Sequence, residues 1–437
     1  MFGIPSKTNC LIILGGIILA GGWLLPVPAR TAPLEELRQG LYDRYGLEIN
    51  GFIEARDGWR IDREHDEKDA SIAEARMQLD MSKDLGWGVA RLKTDFVGDA
   101  VEEVVATDLR EANLLFSPAS WVDLKAGRQI LTWGTGDLLF INDLFPKDWE
   151  SFFIGRDDEY LKAPSDAVKA SIFFKAFNLD LVYTPQFNES QYIDGSRLSY
   201  WNSLTGTIAG RDYVFDDDER LRVFRDSELA ARASKNWGSS EFALYAYNGF
   251  WKTPEGVKVQ PAPKLYYPRL AEYGASFRSP LLDGIASLEA GYYDSREDSD
   301  GTDPFIRNSE IRFLAGYEQE LGREFTGGVQ YYLEWMQDHD DYLRTLPAGT
   351  PAKDEYRHVF TLRLTKLLLN QNLRLSLFCY YSPSDQDAYL RPKVNYKVTD
   401  RWAVETGANL FYGSEDHTFF GQFKDNNNIY ASLRYSF

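Results

Sequence analysis

Six cationic side chains recur at alternate positions toward the C-terminal end of the chain: Arg363, Arg374, Arg391, Lys393, Lys397 and Arg434. In extended backbone a two-residue period puts them on one face, where guanidinium and ammonium groups can bind or steer anionic groups. Arg76, Arg91 and Lys93 repeat the pattern near the N-terminal end, with Glu74, Asp80 and Asp95 among them, and Glu405 is the acidic exception in the later set. The middle of the chain offers Glu228, Glu310, Glu318 and Glu334 together with Arg232 and Arg312. A wall that is basic on one side and mixed or acidic on the other sets up a transverse field in a water-filled space, which orients polar solutes and disfavours apolar ones.

The second concentration of chemistry is the segment 131–165. It carries Trp133, Phe140, Phe145, Trp149, Phe152, Phe153 and Tyr160 beside Asp137, Asp143, Asp148, Asp157, Asp158 and Glu159. So aromatic a loop is poorly suited to open water. Two readings stand side by side. Either the loop folds into a lumen as a constriction, its acids facing the basic wall and its rings able to stack on sugar faces, or its rings pack it onto the wall while inward charges satisfy one another.

Catalytic chemistry finds little support. The four histidines are His65, His339 and His417 in expected loops and His358 at a strand start. No G-x-S-x-G accompanies them and no histidine recurs at metal-ligand spacing. No catalytic residue, metal or cofactor is expected. The net charge of −18 lies largely in DREHDEKD, DDDE, SREDSDGTD, QDHDD and SEDH. Clustered carboxylates of this kind either hold divalent cations or form solvated faces, and they exclude a nucleic-acid partner, which wants a basic footprint.

The elements that must position these residues are strands. ASIAEARMQLDM sets Ala73, Ala75, Met77, Leu79 and Met81 against Glu74, Arg76, Gln78 and Asp80. WGVARLKTDF sets Ala90, Leu92, Thr94 and Phe96 against Arg91, Lys93 and Asp95. SEIRFLAGYEQE does the same with Ile311, Phe313, Ala315 and Tyr317, leaving Leu314 as an exception on the wet face. Short connections such as SKDLG, KAFN and VTD alternate with long polar ones, the pattern of a membrane barrel with short turns on one side and long loops on the other. Aromatics make up 15% of the 437 residues although the mean hydropathy is only −0.40. Aromatic girdles around a polar interior account for both. The expected fold is all-β: a single transmembrane antiparallel β-barrel of about 18 strands over residues 46–437, its termini and short turns periplasmic and its long loops extracellular.

Residues 1–29 read as an export signal: Lys7, the apolar run LIILGGIILAGGWLL, then Val27 and Ala29 at small-residue cut positions. Residues 30–45, with EELRQGLYDRY at their centre, form a short periplasmic segment. After cleavage Cys379 is the remaining cysteine, so no intrachain disulfide is expected. The chain closes on IYASLRYSF, where Ile429, Ala431, Leu433, Tyr435 and Phe437 share one face. This ending resembles the C-terminal assembly signal of outer-membrane barrels.

Within WVDLKAGRQILTWGTGDLLFINDLFPKDWE, the core Gly127, Arg128, Gln129, Trp133 and Gly134, followed by Asn142, Asp143, Leu144 and Pro146, resembles a motif of proteobacterial outer-membrane porins of the uncharacterised and alginate-export-like group. The resemblance implies a passive channel in the outer membrane, with the motif leaving a strand for a loop. It implies no cargo; the inward charges and the aromatic loop point to small hydrophilic solutes, anionic or sugar-like. Its partners would be lipid, lipopolysaccharide and the barrel assembly machinery. A barrel sheath or exporter component that works with a partner protein, and a lipid-acting enzyme, are the alternative readings.

Overall fold

The computed structural model describes residues 32–62, 67–214, 217–218, 220, 222–258 and 263–437; the expected export signal and His65 lie outside them. The chain divides into two units, residues 1–46 and 47–437. In the first, α1 (Ala32–Tyr45) has Glu35 in its first turn and Arg44 in its last, charges that complement the helix dipole.

In the second unit, 18 strands among the described residues form one sheet. They are β1 (Leu47–Arg60), β2 (Ala70–Asp84), β3 (Gly88–Asp99), β4 (Val104–Ala119), β5 (Val122–Ile130) and β6 (Pro164–Phe173). β7 (Asn178–Thr184), β8 (Glu228–Trp237), β9 (Ser240–Phe250), β10 (Arg269–Leu281), β11 (Gly284–Ser295) and β12 (Glu310–Gly322) follow. The set ends with β13 (Phe325–Met336), β14 (Tyr356–Leu368), β15 (Leu373–Ser382), β16 (Asp387–Lys397), β17 (Trp402–Gly413) and β18 (Asn428–Ser436). Each pairs antiparallel with its sequence neighbours, and β18 pairs with β1 from Phe52↔Ser436 to Arg60↔Asn428. The sheet therefore closes, and no edge is left unpaired. Phe437 completes the seam: its N–H donates to Gly51 O at 2.9 Å and its carbonyl accepts from Gly51 N at 3.1 Å.

The two-residue period decides which side chains meet which solvent. Ile53, Leu92, Phe96, Leu244, Leu288, Val329, Phe360 and Leu433 point outward and are exposed, whereas Glu54, Arg56, Glu74, Arg76, Asp95, Glu289, Glu310 and Glu405 point inward and are buried. An exposed apolar belt around a polar interior is stable only where hydrocarbon replaces water, so the strands span a membrane. Aromatic rings rim the belt. Trp87, Trp121, Trp237 and Trp402 lie near the short turns, and Trp59, Tyr273, Tyr292, Tyr356 and Tyr412 lie near the other strand ends. His358 faces outward in this second rim, bonded through Nδ1 to Tyr331 Oη at 2.9 Å.

Two connections at the long-loop end are short, residues 100–103 and 383–386, so the division into long and short is not complete. Leu314 is explained by the interior. It points inward on β12 and is fully buried in a hydrophobic cluster that includes Ile141, Phe145, Phe152, Phe153 and Phe420 from the long loops. The barrel thus carries an apolar core inside its polar wall at the long-loop end, built by segments that enter it.

Candidate functional site

The segment from Leu131 to Ala163 leaves β5 and turns into the barrel. Its first half wraps a single carboxylate. Glu289 Oε2 on β11 accepts from Thr135 N (2.8 Å), Thr135 Oγ1 (3.1 Å) and Gly136 N (3.1 Å), and Oε1 accepts from Asn142 N and Nδ2, both at 2.8 Å. Five donors on one buried carboxylate fix this part of the chain, since each would cost on the order of 1–3 kcal/mol if left unpaired. Tyr380 Oη on β15 donates to Leu138 O at 2.8 Å, and Tyr293 Oη on β11 donates to Ile141 O. Trp133 packs edge-on against Phe145 at 4.9 Å.

The middle of the loop is a short helix, α2 (Trp149–Ile154). Asp148 caps it, accepting from Ser151 N at 2.7 Å. Gly155 ends it at φ 88°, where a side chain would strike the Tyr430 ring. Trp149 contacts Phe140, Phe152 and Phe153, and Phe153 packs against Tyr389 and Phe411 of the wall and Phe423 of the last long loop. Asp143 pairs at 3.0 Å with Lys147, which is buried beside the Phe140 ring; that burial pushes the Lys147 ammonium pKa down despite the acid.

The last part lies against the basic wall. Arg156 donates to Glu74 at 2.9 Å, and Arg56 Nη1 donates to Gly155 O at 2.5 Å. Asp157 pairs with Arg434 at 3.2 Å, and Asp158 with Arg391 at 3.1 Å and Lys393 at 3.3 Å. Glu159 pairs with Lys93 at 2.8 Å. Tyr160 Oη donates to Asp95 at 2.6 Å, with the guanidinium carbons of Arg76 and Arg110 at 4.3 and 4.8 Å from its ring centre. Earlier in the loop, Asp137 grips Arg363 of β14 with both carboxylate oxygens. Burial pushes the Asp158 carboxyl up, but Arg391 and Lys393 outweigh it and hold the pKa below the usual range. Asp157 is likewise held low against burial, by Arg434 and Lys393. Burial lifts Glu150 on α2 to about 7 against the pull of Arg197 and Arg156. A segment bonded to β1, β2, β3, β4, β11, β14, β15, β16 and β18 is held inside the barrel across its width.

The residues expected from sequence divide into groups. Arg76, Lys93, Arg363, Arg391, Lys393 and Arg434 meet the loop, and Arg91 pairs within the wall with Asp80 at 2.7 Å and Glu111 at 3.3 Å. Arg374 and Lys397 share the inward register but stand exposed near the short turns. Asp137, Asp157 and Asp158 face bases of the wall, whereas Asp143 and Asp148 serve the loop's own fold and Trp149 its apolar core. Gln129 points inward and donates to Ala167 O at 2.9 Å, and Trp133 and Gly134 lie in the loop. Gly127 has φ 113°, and a side chain there would collide with Ala112 O. Arg128 faces outward, gripping Asp166 at 2.9 and 2.7 Å. Glu289, Arg56, Arg110 and Arg156 join the site beyond the residues expected from sequence. Glu289 sits on the wet face of an alternating strand, and Arg156 is the base within the acidic stretch, so each carried a local signal. The bulge between Lys93↔Glu111 and Thr94↔Leu109 turns Arg110 inward beside Glu111, which simple alternation hides.

No protein-family profile matches the chain, and no curated protein matches it in sequence. Solved structures do match in fold. The barrel is similar to OccAB4 of Acinetobacter baumannii, with a TM-score of 0.54, 10% identity and coverage of 90% of this chain and 98% of that one. OccK5 (OpdH) and OccK11 (OpdR) of Pseudomonas aeruginosa give TM-scores of 0.51 each, at 11% and 9% identity, covering 90% of this chain and 97% and 96% of theirs. At such identities the likeness is one of fold.

Proposed function

We propose that this barrel is an outer-membrane channel for the passive diffusion of small hydrophilic solutes. The observation that carries the reading is a lumen with charged side chains reached by water on both the loop and the wall. Where an acid of the loop pairs with a base of the wall, the acid is the more exposed partner: Asp158 is 40% exposed against 7% for Arg391, and Glu159 36% against 11% for Lys93. On β3, β5, β6 and β8 the water-reached groups include the bases Arg91, Lys125, Lys169 and Arg232.

Bases alone suggest an anion channel, but their partners' exposure favours a path that offers both charges. Polar solutes carrying both signs, or none, suit it best. Phe145, Phe152, Phe153 and Tyr160 are buried, and Trp133, Phe140 and Trp149 pack against the core while keeping part of their surface exposed, which supports wall packing over sugar stacking. A sheath around a partner protein is less favoured, because the loop occupies the lumen such a partner would need. The exposed belt and the terminal strand suit outer-membrane lipid and the assembly machinery that inserts barrels.

Planar-bilayer recording of refolded protein under a salt gradient tests the reading. Stable conductance steps with a weak reversal potential are expected. A strong anion preference would overturn the charge assignment, and insertion without conductance would overturn the channel.

A further inference from the structure

The notch where the loop meets β10 and β11 holds oxygen atoms that the protein leaves unanswered. Glu289 takes both the N–H and the Nδ2 of Asn142, so the amide is oriented and its Oδ1 must point the other way. That Oδ1 is buried and meets no hydrogen-bond donor among the described residues. On the neighbouring strand Glu272 is 1% exposed, and its Oε1 is also without a donor. Gly274 and Gly291 are cross-strand partners on the inward face and leave the notch open. A Cβ on Gly274 would collide with Asn142 Oδ1 and come to 2.5 Å from Glu272 Oε1 and 2.7 Å from Ala290 O. Three oxygens from three segments therefore converge on one spot, two of them fully buried and unpartnered.

Charge sharpens the point. Glu289 is saturated by neutral donors. Arg312, the base beside Glu272, is bonded to Glu310 at 2.9 and 2.7 Å and lies 3.9 Å from Glu334. Among the described residues no base makes an ion pair with Glu272, and a buried carboxylate without such a partner is among the costliest groups a protein can hold. A carboxylate, an amide oxygen and a backbone carbonyl are the donors that hard cations select, and the carbonyl keeps a second lone pair beyond its ladder bond.

We propose that this notch binds one hard cation, calcium or sodium, between Glu272 Oε1, Asn142 Oδ1 and Ala290 O, so that the ion fastens the loop to the wall. No cluster of three or more His, Cys, Asp or Glu gathers as a metal site among the described residues; this site needs one carboxylate, because the loop supplies the amide. Whether the barrel conducts does not bear on it.

The test is binding to the folded full-length protein in detergent after exhaustive chelation. Calcium is titrated by calorimetry in sodium-free buffer and sodium by ²³Na resonance, while terbium serves as a luminescent calcium probe sensitised by Tyr293, whose ring lies 3.4 Å from where a Gly291 Cβ would sit. Surface carboxylates contribute a background, so the readout is the difference between wild type and Glu272→Gln. One equivalent per chain should disappear in this isosteric variant, and terbium emission should fall with it. Asn142→Leu, which keeps Glu272, should weaken that equivalent at least tenfold. Loss for calcium alone or sodium alone names the ion. Equal stoichiometry in wild type and Glu272→Gln, or no binding of any of the three ions, overturns the proposal and leaves a proton on Glu272 as what joins it to Asn142. If Glu272→Gln does not fold, a wild-type melting temperature indifferent to both ions up to millimolar concentration overturns it as well.

Discussion

Asp137 and Arg363 stand 226 residues apart in the chain and meet as a two-pronged ion pair inside the barrel, the carboxylate on the incoming loop and the guanidinium on β14. Both keep part of their surface in water. The pair therefore fastens the loop and at the same time presents charge to anything that passes.

Replacing Arg363 by Glu should separate these two roles. Like charges then face each other, the loop tip leaves β14, and the lumen gains negative charge. Single-channel conductance should rise and the cation-to-anion permeability ratio should increase by about twofold or more, as expected for a charge beside a narrow aqueous path. The double exchange Asp137→Arg with Arg363→Glu should restore conductance. An unchanged reversal potential in the single variant would show that solutes do not pass this pair.

Glu289 is the firmer anchor. Glu289→Ala leaves Thr135 N, Gly136 N and Asn142 N without their acceptor, each worth roughly 1–3 kcal/mol when buried. The barrel itself should still close, because its ladder does not use this side chain. Proteolysis of the folded variant, read by mass spectrometry, should cut within residues 131–163 at sites resistant in the wild type. Conductance should become noisy. A quiet channel with an intact loop would show that the aromatic core suffices to hold it.

Acidity should act on the loop with two opposite signs. Glu150 sits at about 7, above the ordinary glutamate value, because burial disfavours its charge. The folded state keeps this proton longer than the unfolded chain does, so stability from this group falls as pH rises from about 4.3 to about 7. The slope cannot exceed about 1.4 kcal/mol per pH unit. Asp157 and Asp158 are held low, so their contribution is present above the ordinary aspartate range and is lost in stronger acid. Melting midpoints of wild type and Glu150→Gln across pH 4–8 should diverge toward neutrality, with Gln the more stable at the upper end. Parallel curves would refute the assignment.

Deleting Phe437 removes two backbone bonds to Gly51 and an aromatic ring packed near it. Folded yield, scored by heat-dependent gel mobility, should fall several-fold, while Phe437→Tyr should keep most of it. Equal yields would mean that the seam is held by β1 and β18 alone.

Much of this was written in the sequence, because a membrane barrel states its faces in plain alternation. Arg363, Arg374, Arg391, Lys393, Lys397 and Arg434 all point inward, as the two-residue period requires. What stayed hidden were pairings between distant segments. No local pattern says that Asp158 meets Arg391 while Asp148 caps its own helix, since both are acids in one acidic loop and the choice is made by the path of the chain through the lumen. Leu314 breaks its strand's alternation because the loop brings apolar partners to it, and the bulge at Arg110 resets the period. Arg128, next to the inward Gln129, shows how a motif can mix residues of both faces.

The loop also lies over the closure of the barrel. Gly155 O takes Arg56 of β1, Asp157 takes Arg434 of β18, and Arg434 itself reaches back to Glu54 of β1 at 2.9 Å. A segment from the middle of the chain thus rivets the first strand to the last from within. Unzipping at that seam must first dislodge the rivet, and the rivet can be driven only after both ends have met. The fold should therefore be slow to complete and slower still to come apart, its lifetime set by a barrier rather than by its equilibrium stability alone.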